Sequence, residues 1–133
     1  MPDYAAICRE LGPEARCNEP MAEHTTLRIG GPADAYVVAD SVDELVNAVR
    51  VARAPGVPYL LIGEGANVLV ADAGIRGIVI VNRAEHVVIR CREEGIIVEA
   101  ESGAPLADVA RYCTACGIGG LEWAVDVPGS LGG

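Results

Sequence analysis

Phenylalanine is absent, and aromatic residues occupy only 4% of the 133 positions. A core must therefore be assembled from Val, Ile, Leu and Ala, as in α/β proteins whose strands are buried on both faces. A basic stripe is also missing. Ten Lys and Arg face 19 Asp and Glu, for a formal net charge of −9. That argues against nucleic acid and anionic membranes, which need basic surface. No apolar run approaches the ~20 residues of a membrane span. Met1 to Leu11 carries acidic residues and no apolar h-region, so a secretory signal is not expected. Five cysteines, an odd number, in a chain without such a signal point to reduced thiols and a cytoplasmic location.

Hydrophobic residues make up 51% of the chain, ample for the core of one domain. Sixteen Gly and eight Pro are too many for a helical bundle. They imply frequent turns and close approaches of backbone. An acidic chain can still hold a phosphate, because backbone N–H groups supply local positive potential.

Met1 to Pro20 is the least patterned stretch and reads as a helical turn plus an arm, with one domain over residues 21–133. Ala35 to Ala39 reads as a strand. Ser41 and Glu44 then match a capping box, and Val42, Leu45, Val46 and Val49 mark a helix that Pro55-Gly56 stops. Strands are expected over Tyr59 to Ile62, Val68 to Val70 and Ile78 to Val81. Val87 to Arg90 and Ile96 to Ala100 flank a hairpin turn at Arg92-Glu93-Glu94-Gly95. Leu106, Val109, Ala110 and Cys113 fit a second amphipathic helix with Gly117 at C′. The expected fold class is α+β, or mixed α/β, in two small lobes.

Two glycine loops are candidate sites. In Gly63-Glu64-Gly65-Ala66-Asn67-Val68 the glycines remove Cβ atoms from one side and permit positive φ. Successive N–H groups can then converge on an anion, and Asn67 can add an amide donor. The same spacing fits a plain turn between strands. It is not a G-x-G-x-x-G fingerprint, and it does not lead into a helix. In Val127-Pro128-Gly129-Ser130-Leu131-Gly132-Gly133, Pro fixes φ and three glycines let a flat ligand lie on the backbone. A flexible tail fits equally well.

Other residues carry less. Cys113-Thr114-Ala115-Cys116 has redox spacing, but it sits near a helix C-terminus, where the dipole opposes a thiolate. Cys113 also shares the apolar face, so it reads as a core residue. A metal site would need further ligands, and no second paired spacing exists; none is expected. His24 reads as an exposed or capping histidine, His86 as part of a solvated turn, and Trp123 as a partly buried core residue.

Taken together, His24-Thr25-Thr26-Leu27-Arg28-Ile29-Gly30-Gly31-Pro32-Ala33-Asp34, Ser41 to Leu45, Leu61 to Leu69, Gly74 to Ile80, Glu101-Ser102-Gly103-Ala104, and Gly120-Leu121-Glu122 through Gly133 form an ordered set. In that order, over roughly Asn18 to Gly133, the chain resembles the N-terminal part of the UDP-N-acetylenolpyruvoylglucosamine reductase (UDP-N-acetylmuramate dehydrogenase) family. The resemblance implies an FAD-binding domain of the p-cresol methylhydroxylase or vanillyl-alcohol oxidase type. It also implies NADPH as electron donor and a UDP-sugar enolpyruvyl ether as substrate, in peptidoglycan precursor synthesis. By motif, Gly63 to Val68 would hold the FAD pyrophosphate, and Val127, Pro128, Gly129, Ser130, Gly132 and Gly133 would lie near pyrophosphate and flavin. Arg28 would face either the cofactor or solvent. Ala66 stands where the family usually has Ser, so one hydroxyl donor is missing. The family's catalytic Arg, proton-donating Ser and late Glu have no counterpart here. The expectation is a flavin-holding piece without catalytic residues of its own. A non-catalytic flavin-binding module, or another oxidase of the same flavin fold, is the alternative.

Overall fold

Alternating small and branched apolar residues place β2 (Pro32–Ala39) beside β4 (Ile75–Asn82) at the centre of a four-stranded sheet. This is seen in a computed structural model that describes residues 1–133. β1 (Arg16–Pro20) and β3 (Tyr59–Ile62) flank them in the order β1-β2-β4-β3. β2, β4 and β3 are parallel, with Val37 and Leu61 both opposite Ile80. β1 is antiparallel, with Arg16 opposite Tyr36. Side chains alternate between faces along a strand, so each face builds its own core. Ala35, Val37, Ile78 and Ile80 face the helices α1 (Tyr4–Leu11) and α2 (Val42–Arg53). Ala33, Tyr36, Val79 and Val81 cluster on the other side with Met21, Ile62 and Val70. Burial on both faces explains why β4 is nearly all apolar from Gly77 onward.

α2 starts where its sequence says it should. The Ser41 hydroxyl accepts from the Glu44 N–H at 3.2 Å, and the Glu44 carboxylate accepts from the Asp40 N–H at 2.8 Å. The return bond thus lands one residue earlier than in the usual capping box. β5 (Val87–Arg92) and β6 (Gly95–Ala100) form a separate hairpin, and α3 (Leu106–Ala115) packs beside it through Val109 and Cys113. Gly117, at φ +73°, follows the end of α3. Helices beside one mixed sheet and one antiparallel hairpin give the expected α+β class.

Four expectations are corrected. Val68 to Val70 is not a strand. Val68 and Val70 are apolar because they pack beside Met21, and Ala71 satisfies the Gly31 N–H at 3.0 Å in place of a ladder. The stretch read as a turn plus an arm forms α1 and the edge strand β1, with Ile7 and Cys8 in the helix-side core. Cys8 and Cys17 are joined as a disulfide across a Cα separation of 6.4 Å, so the reading of five reduced thiols fails at this pair. Trp123 is 69% exposed, not in the core, and its indole N–H donates to the Gly120 carbonyl at 3.2 Å. Cys113 is buried and Cys116 exposed, each without a disulfide partner.

Candidate functional site

Parallel strands end together, and ligands of such sheets gather beyond their carboxyl ends. Here β3 ends at Ile62 and β4 at Asn82, directly before Gly63 and Arg83. A cleft of about 870 Å³ opens there, lined by His24 to Thr26, Arg28, Tyr36, Gly63, Glu64, Asn82, Arg83, Glu85 and Gly103, among others. Of the sequence-predicted residues, Gly63 and Glu64 line this cleft directly. Gly65 to Val68 continue the loop outside the cleft lining.

The first glycine loop has the character a phosphate needs. None of the six N–H groups from Gly63 to Val68 donates to a protein acceptor. Six consecutive free donors on one loop fit a pyrophosphate, whose charge they can share without a cationic side chain. The glycines are there for different reasons. A Cβ on Gly63 would come 2.9 Å from the Ser130 hydroxyl. A Cβ on Gly65, at φ +68°, would strike the His24 carbonyl oxygen. Gly65 thus has the positive φ expected of it, and its missing Cβ leaves room for the protein's own backbone.

The second loop is not a loose tail. Leu131 N–H donates to the Ala104 carbonyl and Gly132 N–H to the Ser102 carbonyl, each at 2.8 Å. The Gly129 carbonyl accepts from Leu106 N–H at 3.0 Å, and Ser130 bridges Pro105. The two glycine loops therefore meet at Gly63 and Ser130, as neighbours across the end of β3. Val127, Pro128, Gly129, Gly132 and Gly133 lie on this second loop, outside the cleft lining.

Several cleft residues escaped sequence reasoning. Asn82 is 7% exposed; its amide donates to the Ser102 hydroxyl at 2.8 Å and its Oδ1 accepts from Ala84 N–H at 3.1 Å. It ties the end of β4 to the segment that holds Gly132. A polar residue closing an apolar run was the available signal. Gly103 has no room for a side chain, since a Cβ would lie 2.7 Å from the Ala84 backbone. Arg83 lines the cleft with Arg28, the residue read from sequence as facing cofactor or solvent; neither takes part in an ion pair, and the two stand against three carboxylates, Glu23, Glu64 and Glu85.

His24 is half-buried and does cap a short 3-10 turn, Met21–Glu23, its N–H donating to the Met21 carbonyl at 2.9 Å, but its side chain goes further. Its Nε2 lies 2.8 Å from Glu19 Oε1 and its Nδ1 3.1 Å from the Tyr36 hydroxyl, and its ring stacks on Tyr36 with centroids 4.2 Å apart. Burial opposes ionisation of Glu19, but hydrogen bonds from His24 and Arg16 outweigh it and hold the carboxyl below its ordinary pKa. Burial raises the Tyr36 phenol above its ordinary value. Glu19, Glu23 and His24 bring potential metal-ligand atoms within 4.8 Å of one another. Both ring nitrogens of His24 are already engaged, so the group reads as a hydrogen-bond network.

Comparison with known proteins agrees with this geometry. Residues 33–133 match the FAD binding domain family. UDP-N-acetylenolpyruvoylglucosamine reductase of Syntrophus aciditrophicus is 42% identical over 118 residues, covering 87% of this chain and 38% of that protein. The enzyme of the same name from Caldanaerobacter subterraneus subsp. tengcongensis is 40% identical over 117 residues, covering 87% of this chain and 37% of that protein. The crystal structure of UDP-N-acetylenolpyruvylglucosamine reductase from Thermus caldophilus superposes with a TM-score of 0.60 at 27% identity, covering 90% of this chain and 40% of that one. The chain thus spans under two fifths of the curated relatives it matches. A glycine loop at the end of a parallel sheet and a family match over residues 33–133 lead to one conclusion: the chain belongs to the FAD-binding domain family.

Proposed function

We propose that this chain is the FAD-holding part of an NADPH-dependent reductase. Its substrate is the enolpyruvyl ether of UDP-N-acetylglucosamine, reduced to UDP-N-acetylmuramate for peptidoglycan in the cytoplasm. Residues 21–133 carry the flavin-binding loops, and residues 1–20, as α1 and β1, complete the same sheet and its helix-side core. The supporting observation is the row of six N–H donors from Gly63 to Val68 that have no protein acceptor, beside a cleft large enough for a cofactor. These donors would hold the pyrophosphate. Gly63, lacking a Cβ, keeps that row close to the Ser130 loop. Ser130, Gly132 and Gly133, pinned through Ser102 and Ala104, would offer a flat backbone surface to the ring system. FAD, when bound, supplies the two-electron relay between nicotinamide and the enolpyruvyl double bond. Names and coverage of the relatives support the reductase reading.

The test is a titration with flavins of graded structure. FAD and ADP should bind competitively, and riboflavin, which lacks the pyrophosphate, should bind at least tenfold more weakly. Equal affinity for riboflavin and FAD would remove Gly63–Val68 from the site. The reductase assignment is tested separately, in the longest polypeptide carrying this segment. NADPH oxidation there should depend on added enolpyruvyl sugar nucleotide; oxidation indifferent to that sugar would favour another oxidase of the same fold.

A further inference from the structure

The phosphate-type loop rests on a shelf, and the shelf is not built from regular structure. Residues 24–31 form no helix or strand. Yet the His24 carbonyl abuts the open side of Gly65, the Thr25 Cα lies 3.4 Å from where a Gly65 Cβ would stand, and Thr26 N–H donates to the Gly65 carbonyl at 3.2 Å. Thr25 is 5% exposed and donates to the Ile29 carbonyl at 3.0 Å, which folds the shelf on itself. What fixes its place against the sheet is the side chain of His24. Glu19 of β1 holds one ring nitrogen at 2.8 Å, Tyr36 of β2 the other at 3.1 Å, and the Tyr36 ring stacks beneath it. Both anchors stand on rigid, mutually paired strands. Glu19 lies outside the cleft lining and Glu19 Oε1 also takes Arg16, whose guanidinium is largely exposed.

We infer that Glu19, His24 and Tyr36 form a positioning network that presses the His24–Thr26 shelf against Gly65 and so pre-shapes the Gly63–Val68 donors for an anion. The inference rests on the FAD reading for its ligand but not for its mechanics. Glu19 is a positioning residue, acting through His24 without touching the ligand.

The experiment uses the intact chain with two readouts. The first is hydrogen exchange of the Thr26 amide without flavin, because that N–H is donated to Gly65. The second is FAD affinity by fluorescence quenching. Glu19→Ala should speed Thr26 exchange and weaken FAD by about tenfold, the scale of one lost charge-assisted hydrogen bond. Glu19→Gln keeps an acceptor for the imidazole N–H and should restore both to within about twofold of the unaltered chain, since a neutral bond replaces a charged one. Arg16→Ala, which removes only the exposed ion pair, should change neither. If Glu19→Ala does not fold, His24→Phe serves instead, keeping the stack on Tyr36 while removing both hydrogen bonds. Unchanged Thr26 exchange in the folded variant overturns the network, whatever flavin does. Faster Thr26 exchange with unchanged FAD affinity overturns the coupling of shelf to site. No FAD binding by the unaltered chain, with the Thr26 effect present, overturns the flavin reading and leaves the mechanical one standing.

Discussion

Gly65→Ala separates two reasons for a glycine in a phosphate-type loop. If the missing Cβ makes room for a ligand, the substitution should spare the folded protein and abolish binding. The geometry points to the other reason. Gly65 sits at φ +68°, and its Cβ direction leads into the His24 carbonyl. A non-glycine residue in the left-handed region costs roughly 1–2 kcal/mol. Relieving the contact must also lengthen or break the Thr26-to-Gly65 hydrogen bond, worth ~1 kcal/mol. The sum, about 2–3 kcal/mol, is large for a single substitution in a marginally stable domain. At roughly 3–5 °C per kcal/mol for a chain of this size, the melting temperature without flavin should fall by about 10 °C. Gly56→Ala is the internal control. Its φ is +70°, but nothing lies within 4 Å of its Cβ direction, so it reports the conformational term alone. Thermal unfolding by circular dichroism, without flavin, gives both numbers. If Gly65→Ala melts no lower than Gly56→Ala, the shelf contact does not matter and the packing account of Gly65 fails.

Ala66→Ser should tighten FAD by up to about tenfold through a restored hydroxyl donor, read by quenching titration; unchanged affinity would place residue 66 away from the phosphates. Flavin should be held without a covalent link, because neither glycine loop contains His, Cys or Tyr and both nitrogens of the cleft residue His24 are engaged; yellow colour retained on acid-precipitated polypeptide would contradict this. Reducing the Cys8–Cys17 bond, which closes a loop of sequence separation 9, should lower stability by ~2–3 kcal/mol on chain entropy, measured as urea midpoints with and without dithiothreitol. Glu19 has a folded-state pKa below its unfolded value, so its contribution is present at neutral pH and lost as pH falls through that depressed value. Glu19→Gln should therefore flatten the acid limb of a stability–pH curve, and an unaltered limb would sink the claim.

Local patterns were legible where one principle acted alone. Ser41 and Glu44 marked the start of α2, Pro55-Gly56 its end, and Gly95 the hairpin turn, since each needs only its neighbours in sequence. β1 was not legible, because Arg16–Pro20 is an exposed edge strand without alternation and gains its pairing only from β2. Val68 to Val70 misled for the opposite reason. Val70, and Val68 in part, serve burial under the sheet while Leu69 is exposed, and composition alone does not distinguish that from pairing. Both glycine loops could be named from sequence, but their meeting at Gly63 and Ser130 depends on a chain reversal that no spacing encodes.

His24 shows where such reasoning stops and what replaces it. In sequence it is one polar residue before two threonines, and capping is the economical account. In the fold, β1 carries Glu19 and β2 carries Tyr36 to opposite nitrogens of one ring, so a single imidazole satisfies two strands at once. The backbone of the same residue then bears on Gly65. A side chain fixed at three points — two hydrogen bonds and a stacked ring — loses its freedom during folding, before any ligand arrives. The ordering entropy of the loop beneath it is met at that stage, and a ligand that fits the preformed donors need not supply it again. That is the physical reason for a glycine loop to lean on a half-buried polar network instead of standing free.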